Sequence, residues 1–242
     1  MQVKAVLFDM FDTLMIIEKD HAFYSPAVKS MHGFLVQNGV EVSFSLFRDA
    51  YIKARDALYE EADAEMEEPH FNVRVKNALL VLGYRGQAED PGLVQGATDA
   101  FCHEFMNYVR IDDGAALALN QLHSKYRLGI VSNFAITECV TRILDRHGLT
   151  ALFDIIVVSA AVNKRKPHLE IFQHALRRLG LKPSEVAFVG DTVDADIKGA
   201  REAGMKTVYI ERRPQKDLKD SPPDQTIRSL SELPAAIERL EE

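Results

Sequence analysis

The sequence is poor in several features that would define a class of protein. Only two cysteines, Cys102 and Cys139, occur among its 242 residues, and they do not form a CxxC pair. A disulfide framework or a cysteine-ligated zinc site is therefore not expected. Uncharged apolar runs stay well short of the roughly 18 residues that read as a membrane-spanning helix. We therefore expect a protein without membrane spans.

A basic excess is missing as well. Lys and Arg together number 29 against 36 Asp and Glu, which gives a formal net charge of -7. A general nucleic-acid binder needs a basic surface, so the composition argues against that class. The first apolar run reaches Asp9 and Asp12 too early to serve as the core of a signal peptide. We therefore expect a cytoplasmic protein.

What the chain does have is an alternation of short apolar runs and amphipathic helical patterns. Runs that are apolar on both faces are typical of strands buried in a parallel sheet. A glycine follows each predicted helix, as is common at helix C-termini. The alternation predicts an α/β fold with a doubly wound, Rossmann-like parallel sheet. The predicted strands are Val3–Phe8, Leu128–Val131, Ile155–Val158, Val186–Val189 and Thr207–Ile210, and the predicted helices are Ile136–His147, Leu169–Leu179 and Asp194–Ala203.

The stretch from about residue 21 to residue 108 breaks this alternation. It shows no clear strand, and Leu46–Tyr59 and Phe71–Leu82 have the pattern of amphipathic helices. We predict a Rossmann-like catalytic core, residues 1–16 and 109–242, with an inserted α-helical cap domain at residues 17–108. Residues 212–225 are rich in proline and charge, and they predict a loop before a last helix.

Polar residues follow the predicted strands where those strands end. Asp9 follows the first strand, Ser132 and Asn133 the second, Lys166 the third at a longer interval, and Asp191 the fourth. Ligands of an open parallel sheet bind outside these carboxyl ends. Two carboxylates meeting there would repel each other unless a cation lies between them, and Mg²⁺ suits oxygen ligands. The set is typical of a nucleophilic carboxylate that attacks an anionic substrate.

Each of these polar segments alone is common as a turn or a helix cap. Four such segments in this order, however, indicate a resemblance to a known family. The chain resembles the haloacid dehalogenase-like hydrolases over about residues 1–15 and 110–240. That family places a helical cap after its first motif, where the inserted helical stretch lies here. The matching segments are Phe8-Asp9-Met10-Phe11-Asp12-Thr13-Leu14, Val131-Ser132-Asn133, Arg165-Lys166-Pro167, and Val189-Gly190-Asp191-Thr192 with Asp196.

The resemblance implies a role for each matching position. Asp9 is expected as the nucleophile and Lys166 as the second catalytic residue. Thr13, Ser132 and Asn133 are expected to bind the substrate, a small phosphorylated molecule. Mg²⁺ is expected as the cofactor, and its implied ligands are Asp9, the backbone carbonyl of Phe11, Asp191 and Asp196. His168, which follows the third motif, is expected to start the next helix.

Phe11 departs from the family pattern. Phosphatases of this family usually carry an aspartate there, which protonates the leaving group and is worth roughly 10²–10⁴-fold in rate. The neighbouring Asp12 points to the other face of an extended turn and is not expected to replace it. An aromatic residue at this position is typical of 2-haloacid dehalogenases, whereas the retained Asp191 is not. A Mg²⁺-dependent phosphatase is the leading hypothesis. The alternatives are a 2-haloacid dehalogenase, a phosphonate-cleaving enzyme, and a weakly active or non-catalytic phosphate-ligand binder.

Overall fold

A parallel β-sheet forms the centre of the protein. The computed structural model describes residues 2–18, 22–212 and 221–242. The strands are β1 (Ala5–Phe8), β2 (Met15–Ile17), β3 (Val109–Ile111), β4 (Arg127–Ser132), β5 (Ile155–Val158), β6 (Val186–Gly190), β7 (Lys206–Ile210) and β8 (Gln225–Ile227). Six of them form one sheet in the order β5-β4-β1-β6-β7-β8, and each neighbouring pair is parallel. The predicted α/β fold is confirmed.

Helices occupy the segments between the strands. Those after β3 are α6 (Ala115–His123), α7 (Thr137–Arg146), α8 (Ser159–Val162), α9 (Leu169–Leu179), α10 (Gly199–Glu202) and α11 (Leu233–Arg239). The glycines that end the predicted helices, Gly148, Gly180 and Gly204, all have positive φ angles. Such left-handed residues commonly end helices, and glycine adopts this conformation without steric cost. His168 is the N-cap of α9, where its ring accepts a hydrogen bond from the Glu170 amide, as expected.

Two predictions near the C-terminus need correction. The helix predicted at Asp194–Ala203 begins instead with a π-helical turn, Val193–Lys198, before α10. π-Helical turns are rare and often occur at functional sites. The loop predicted over residues 212–225 ends in β8, which pairs with β7 at the edge of the sheet. The rest of that predicted loop lies partly outside the described residues.

The helical stretch contains α1 (Tyr24–Gln37), α2 (Phe44–Ala62), α3 (Phe71–Val81), α4 (Arg85–Ala88) and α5 (Pro91–Phe105). We call residues 24–105, which contain these five helices, the insertion. Strand β2 precedes the insertion and β3 follows it, and these two strands form a separate antiparallel pair. Within that pair Ile17 is the partner of Val109, and Met15 is the partner of Ile111. This two-stranded stem was not predicted, because three-residue strands carry almost no periodicity.

The insertion lies against the carboxyl end of the sheet. The Phe71 amide donates to the Ala135 carbonyl at 2.8 Å, just beyond β4. Arg165, in the segment after β5, forms an ion pair with Asp63 at 2.5 Å. These two contacts therefore hold the insertion over the strand ends.

A disulfide crosses the same boundary. Cys102 in α5 is bonded to Cys139 in α7, with Cα atoms 5.8 Å apart. The expectation that the two cysteines form no disulfide is therefore wrong. The packing of α5 on α7 brings together residues that are 37 positions apart, and sequence spacing alone cannot reveal such packing. Among the described helices, none has the length and apolar character that crossing a membrane requires.

Candidate active site

A polar cavity opens at the carboxyl ends of β1, β4 and β6. It has a volume of about 170 Å³. Asp9 follows β1 directly, Ser132 ends β4, and Asp191 follows β6 directly. Because β1 lies between β4 and β6, these three positions meet at one edge of the sheet. Of the predicted site residues, those lining the cavity are Asp9, Phe11, Asn133, Lys166, Asp191 and Asp196.

The ammonium group of Lys166 lies between two carboxylates. Its Nζ is 2.5 Å from Asp9 Oδ1 and 2.7 Å from Asp196 Oδ1. The lysine side chain is almost completely buried. Burial alone would lower its pKa, but the charges of Asp196 and Asp9 outweigh burial and raise the pKa of Lys166 above its ordinary value. Lys166 is thus a fixed positive charge at the base of the cavity.

Asn133 holds the backbone of that lysine. Its Oδ1 accepts from the Lys166 amide at 2.7 Å, and its Nδ2 donates to the Lys166 carbonyl at 3.0 Å. Both ends of the carboxamide are therefore used in fixing the loop after β5 to the end of β4. The geometry gives Asn133 a positioning role, and the predicted contact with substrate remains untested.

Asp9, Asp191 and Asp196 form a carboxylate cluster. One oxygen from each lies within 4.8 Å of the others. Burial raises the pKa of Asp9 to about 6, against the opposing effect of Lys166. Burial, followed by the charge of Asp9, raises the pKa of Asp191 to about 7. The cluster is therefore electrostatically costly when ionised, and a divalent cation would relieve the repulsion.

Asp196 is already engaged by the protein. Its Oδ1 faces Lys166, and its Oδ2 accepts from the Thr192 amide at 3.0 Å. A Cβ at Gly190 would lie 2.5 Å from the Asp196 side chain, so only glycine leaves room for it. Asp9 and Asp191 are consequently the better candidates for direct metal ligands, with Asp196 supporting the loop that carries Asp191.

Two hydroxyls beside the cavity lack hydrogen-bond partners. Thr13 and Ser132 are completely buried. Neither Thr13 Oγ1 nor Ser132 Oγ has a partner among the described residues. Buried polar groups are nearly always paired, so each such case calls for an explanation. Neither residue is among those that line the cavity. Their contacts with substrate therefore stay predictions, in which the oxygens of a bound anion would supply the acceptors.

The turn after β1 is clamped by Arg212, which the sequence did not point to. The Arg212 guanidinium donates to the Asp12 carbonyl at 3.0 Å and to the Thr13 carbonyl at 2.8 Å. It also forms an ion pair with Asp112 at 2.8 Å. Asp12 has a φ of 57°, and its carboxylate accepts from the Ile17 amide at 3.2 Å. This carboxylate is therefore used in shaping the turn.

Phe11 faces both the cavity and an aromatic cluster. Its ring centroid is 4.9 Å from that of Phe134 and 5.7 Å from that of Phe105. The side chain is partly buried and forms part of the cavity wall. A phenyl ring cannot transfer a proton. Phe11, two residues after Asp9, can therefore make apolar contacts but cannot act as a general acid.

A second cavity of about 180 Å³ adjoins the first, and Asn133 lines both. It lies between the insertion and the loop after β4. Arg74 and Glu68 of the insertion line it and are buried, with 7% and 6% of their surface exposed. Sequence patterns place Arg74 on an amphipathic helix without distinguishing a buried arginine from a solvated one.

Comparisons with known proteins agree with these observations. The family model described as haloacid dehalogenase-like hydrolase matches residues 3–204. The chain is 32% identical over 244 residues to the glyceraldehyde 3-phosphate phosphatase of Methanocaldococcus jannaschii, covering 98% of each chain. It is 35% identical over 122 residues to the pyrimidine 5'-nucleotidase YjjG of Escherichia coli, covering 50% of this chain and 53% of the nucleotidase.

Among solved structures, a 2-haloacid dehalogenase from Pseudomonas syringae pv. tomato superposes with a TM-score of 0.77. The match covers 98% of this chain and 99% of the dehalogenase, at 23% sequence identity. At this identity, the likeness supports the fold and leaves the choice between phosphate and halide chemistry to the site itself.

Proposed function

Because the chain belongs to the haloacid dehalogenase-like hydrolases, we propose that this hydrolase is a Mg²⁺-dependent phosphatase of a small phosphorylated molecule. The observation that carries the proposal is the pairing of the buried carboxylate Asp9 with the partly buried carboxylate Asp191 beside the fixed charge of Lys166. The phosphatase names of the relatives that match over nearly the whole chain support it. We further propose that residues 1–16 and 109–242 form the catalytic core and residues 17–108 the cap.

In this proposal the chain's own residues bind and orient the phosphoryl group. The unpartnered hydroxyls of Thr13 and Ser132 donate to phosphoryl oxygens, and Lys166 adds positive charge. The Asp9 carboxylate attacks phosphorus, the leaving oxygen departs with the bonding electrons and takes a proton from water, and an aspartyl-phosphate forms. A second water then attacks that phosphorus and loses a proton to solvent, the bond between phosphorus and the Asp9 oxygen breaks, and inorganic phosphate and the Asp9 carboxylate are released.

The donor set fits a magnesium ion. Asp9, Asp191 and the Phe11 backbone carbonyl would hold it, since all three offer the oxygen ligands that Mg²⁺ prefers. The ion would supply Lewis-acid stabilisation of the phosphoryl oxygens. Burial and mutual repulsion raise the pKa values of Asp9 and Asp191, and a cation between the two carboxylates would oppose both effects.

Dehalogenation is the second candidate, and Phe11 favours it. A halide leaves without a proton, so an enzyme that releases halide needs no acid at this position. The retained Asp191 counts against it, because an extra, partly buried carboxylate in the cavity would repel the carboxylate of a haloacid. We therefore rank the dehalogenase below the phosphatase.

The test is hydrolysis of p-nitrophenyl phosphate and acetyl phosphate with Mg²⁺ and with EDTA. We expect turnover only with Mg²⁺, and loss of nearly all activity in Asp9→Asn and Asp191→Asn. Asp194→Asn is the matched control, because Asp194 is an exposed carboxylate in the π-helical turn that follows Asp191. If neither phosphate is cleaved, while 2-chloropropionate releases chloride in EDTA, the dehalogenase replaces the phosphatase.

A further inference from the structure

The second cavity has apolar walls and one polar cluster. Its volume of about 180 Å³ compares with the roughly 150 Å³ of an engineered cavity that binds benzene. The cavity therefore fits a leaving group of about three to six heavy atoms. Six aromatic residues line it: Phe23, Tyr24, Tyr59, Phe71, Phe101 and Phe134.

Arg74 is the centre of the polar cluster. Its Nη2 is 3.2 Å from Glu68 Oε1 and also donates to the Tyr59 hydroxyl. The Tyr59 hydroxyl in turn donates to the same Glu68 oxygen at 3.2 Å. The guanidinium lies over the rings of Tyr59 and Phe71, at 4.6 and 5.3 Å from their centroids. Four contacts thus fix the orientation of one side chain.

This fixed side chain retains an unused donor. Arg74 is more than nine-tenths buried, yet its Nε has no hydrogen-bond partner among the described residues. A buried N–H without a partner destabilises the folded protein. Arg74 lines the second cavity, which shares Asn133 with the catalytic cavity. An oxygen of a molecule bound in the second cavity would give the guanidinium a further acceptor.

The charges in the cluster indicate what kind of oxygen. Glu68 carries the charge opposite to that of Arg74 and is buried beside it. A second anionic group in this cavity would lie close to the buried Glu68 carboxylate and would be repelled by it. A neutral hydroxyl or carbonyl oxygen accepts the same hydrogen bond without that repulsion.

We propose that Arg74 is a specificity-determining residue that binds a neutral hydroxyl or carbonyl oxygen on the leaving group of a compact phosphate ester. This inference rests on the phosphatase proposed above. The ester places its phosphoryl group at Asp9 and its leaving group in the second cavity, where the Arg74 guanidinium donates to the oxygen. A leaving group that lacks the oxygen leaves the donor unpaired and binds more weakly.

The test uses three esters with the same three-carbon skeleton. Glyceraldehyde 3-phosphate carries neutral oxygens, propyl phosphate carries none beyond the ester, and 3-phosphoglycerate carries a carboxylate. We expect a kcat/KM for the first that is roughly tenfold or more above the other two, because one buried hydrogen bond is worth about 1.4 kcal/mol. Arg74→Lys keeps the positive charge and loses the planar guanidinium. In this variant the preference for glyceraldehyde 3-phosphate over propyl phosphate should fall about tenfold.

A preference is a ratio of two rates in the same protein, so partial loss of folded enzyme does not change it. Arg48→Lys is the matched control, since Arg48 is exposed on α2 and should leave the preference unchanged. A preference that persists in Arg74→Lys, or one for 3-phosphoglycerate, would overturn the inference. If acetyl phosphate is cleaved but the three esters are not distinguished, only this inference fails. If acetyl phosphate and p-nitrophenyl phosphate are both inert, the phosphatase proposal fails with it.

Discussion

Replacing Phe11 by aspartate tests the central departure of this chain from the phosphatase pattern. The substitution removes a ring that contacts Phe134 at 4.9 Å and Phe105 at 5.7 Å between centroids. Aromatic pairs contribute about 0.5–1.5 kcal/mol each beyond area burial, so the two contacts together are worth about 1–3 kcal/mol. We therefore expect Phe11→Asp to fold with a measurably lower free energy of unfolding.

The expected gain is catalytic. A positioned general acid contributes roughly 10²–10⁴-fold, which corresponds to about 3–5 kcal/mol of activation free energy. The gain should fall on esters whose leaving group is an alkoxide, because these need the proton most. We expect kcat on propyl phosphate to rise about 10²-fold or more in Phe11→Asp. For p-nitrophenyl phosphate the change should stay below about tenfold.

The assay is steady-state phosphate release with Mg²⁺, together with urea unfolding of each variant. Phe11→Asn is the control, because it removes the same ring and supplies no acid. An equal acceleration in Phe11→Asn would mean that loss of the ring, and not the new acid, causes the effect. An unchanged propyl phosphate rate in a folded Phe11→Asp variant would refute the assignment of this position as the missing acid.

Three further predictions concern charge, metal binding and the disulfide. Lys166→Met leaves two buried carboxylates uncompensated, so urea unfolding at pH 8 should show a free energy of unfolding that is about 3–5 kcal/mol lower than that of the unmodified protein. At pH 5, where Asp9 takes up a proton, the decrease should be smaller. Equal decreases at the two pH values would contradict this. Because the pKa of Asp9 is raised to about 6 and that of Asp191 to about 7, protons compete with the metal, and Mg²⁺ affinity by calorimetry should rise from pH 5 to pH 8 with release of protons. The raised pKa values of Asp9 and Asp191 also stabilise the metal-free folded state at low pH. This stabilisation is complete below the ordinary carboxyl pKa of 3.8, and it is lost as the pH rises through 6 to 7. Reduction of Cys102–Cys139 opens a loop of 37 residues and should lower the free energy of unfolding by about 3–4 kcal/mol. If the urea concentration at the unfolding midpoint does not change with reductant, this bond does not form in solution.

The strand ends are the part of the site that sequence could predict. Asp9 and Asp191 directly follow short apolar strands, and in a parallel sheet the carboxyl ends of all strands meet at one edge. Lys166 was predictable only through its motif, since it lies several residues beyond β5. The local pattern around each of these residues is therefore enough to predict that they share one cavity.

The remaining features depend on packing that no local pattern records. Arg212 clamps a turn that lies 199 and 200 residues before it in the chain. Arg74 has the spacing of a solvated helix face, and only the folding of the insertion over the sheet buries it. The Cys102–Cys139 pair likewise depends on α5 packing against α7. Such long-range contacts reflect the tertiary fold, which is why charge and periodicity did not reveal them.

The antiparallel stem of β2 and β3 has a consequence for how the insertion can change. Since Ile17 and Val109 are paired across the ladder, the stem has the geometry of a β-hairpin whose turn has been replaced by five helices. The entropy of closing a loop grows only slowly with loop length, by about 0.6 kcal/mol per doubling, so a long helical insertion costs the stem only about 3 kcal/mol more than a short turn. The helices over the strand ends can therefore change as a block, with a different cavity beneath them, while the sheet and its carboxylates stay in place.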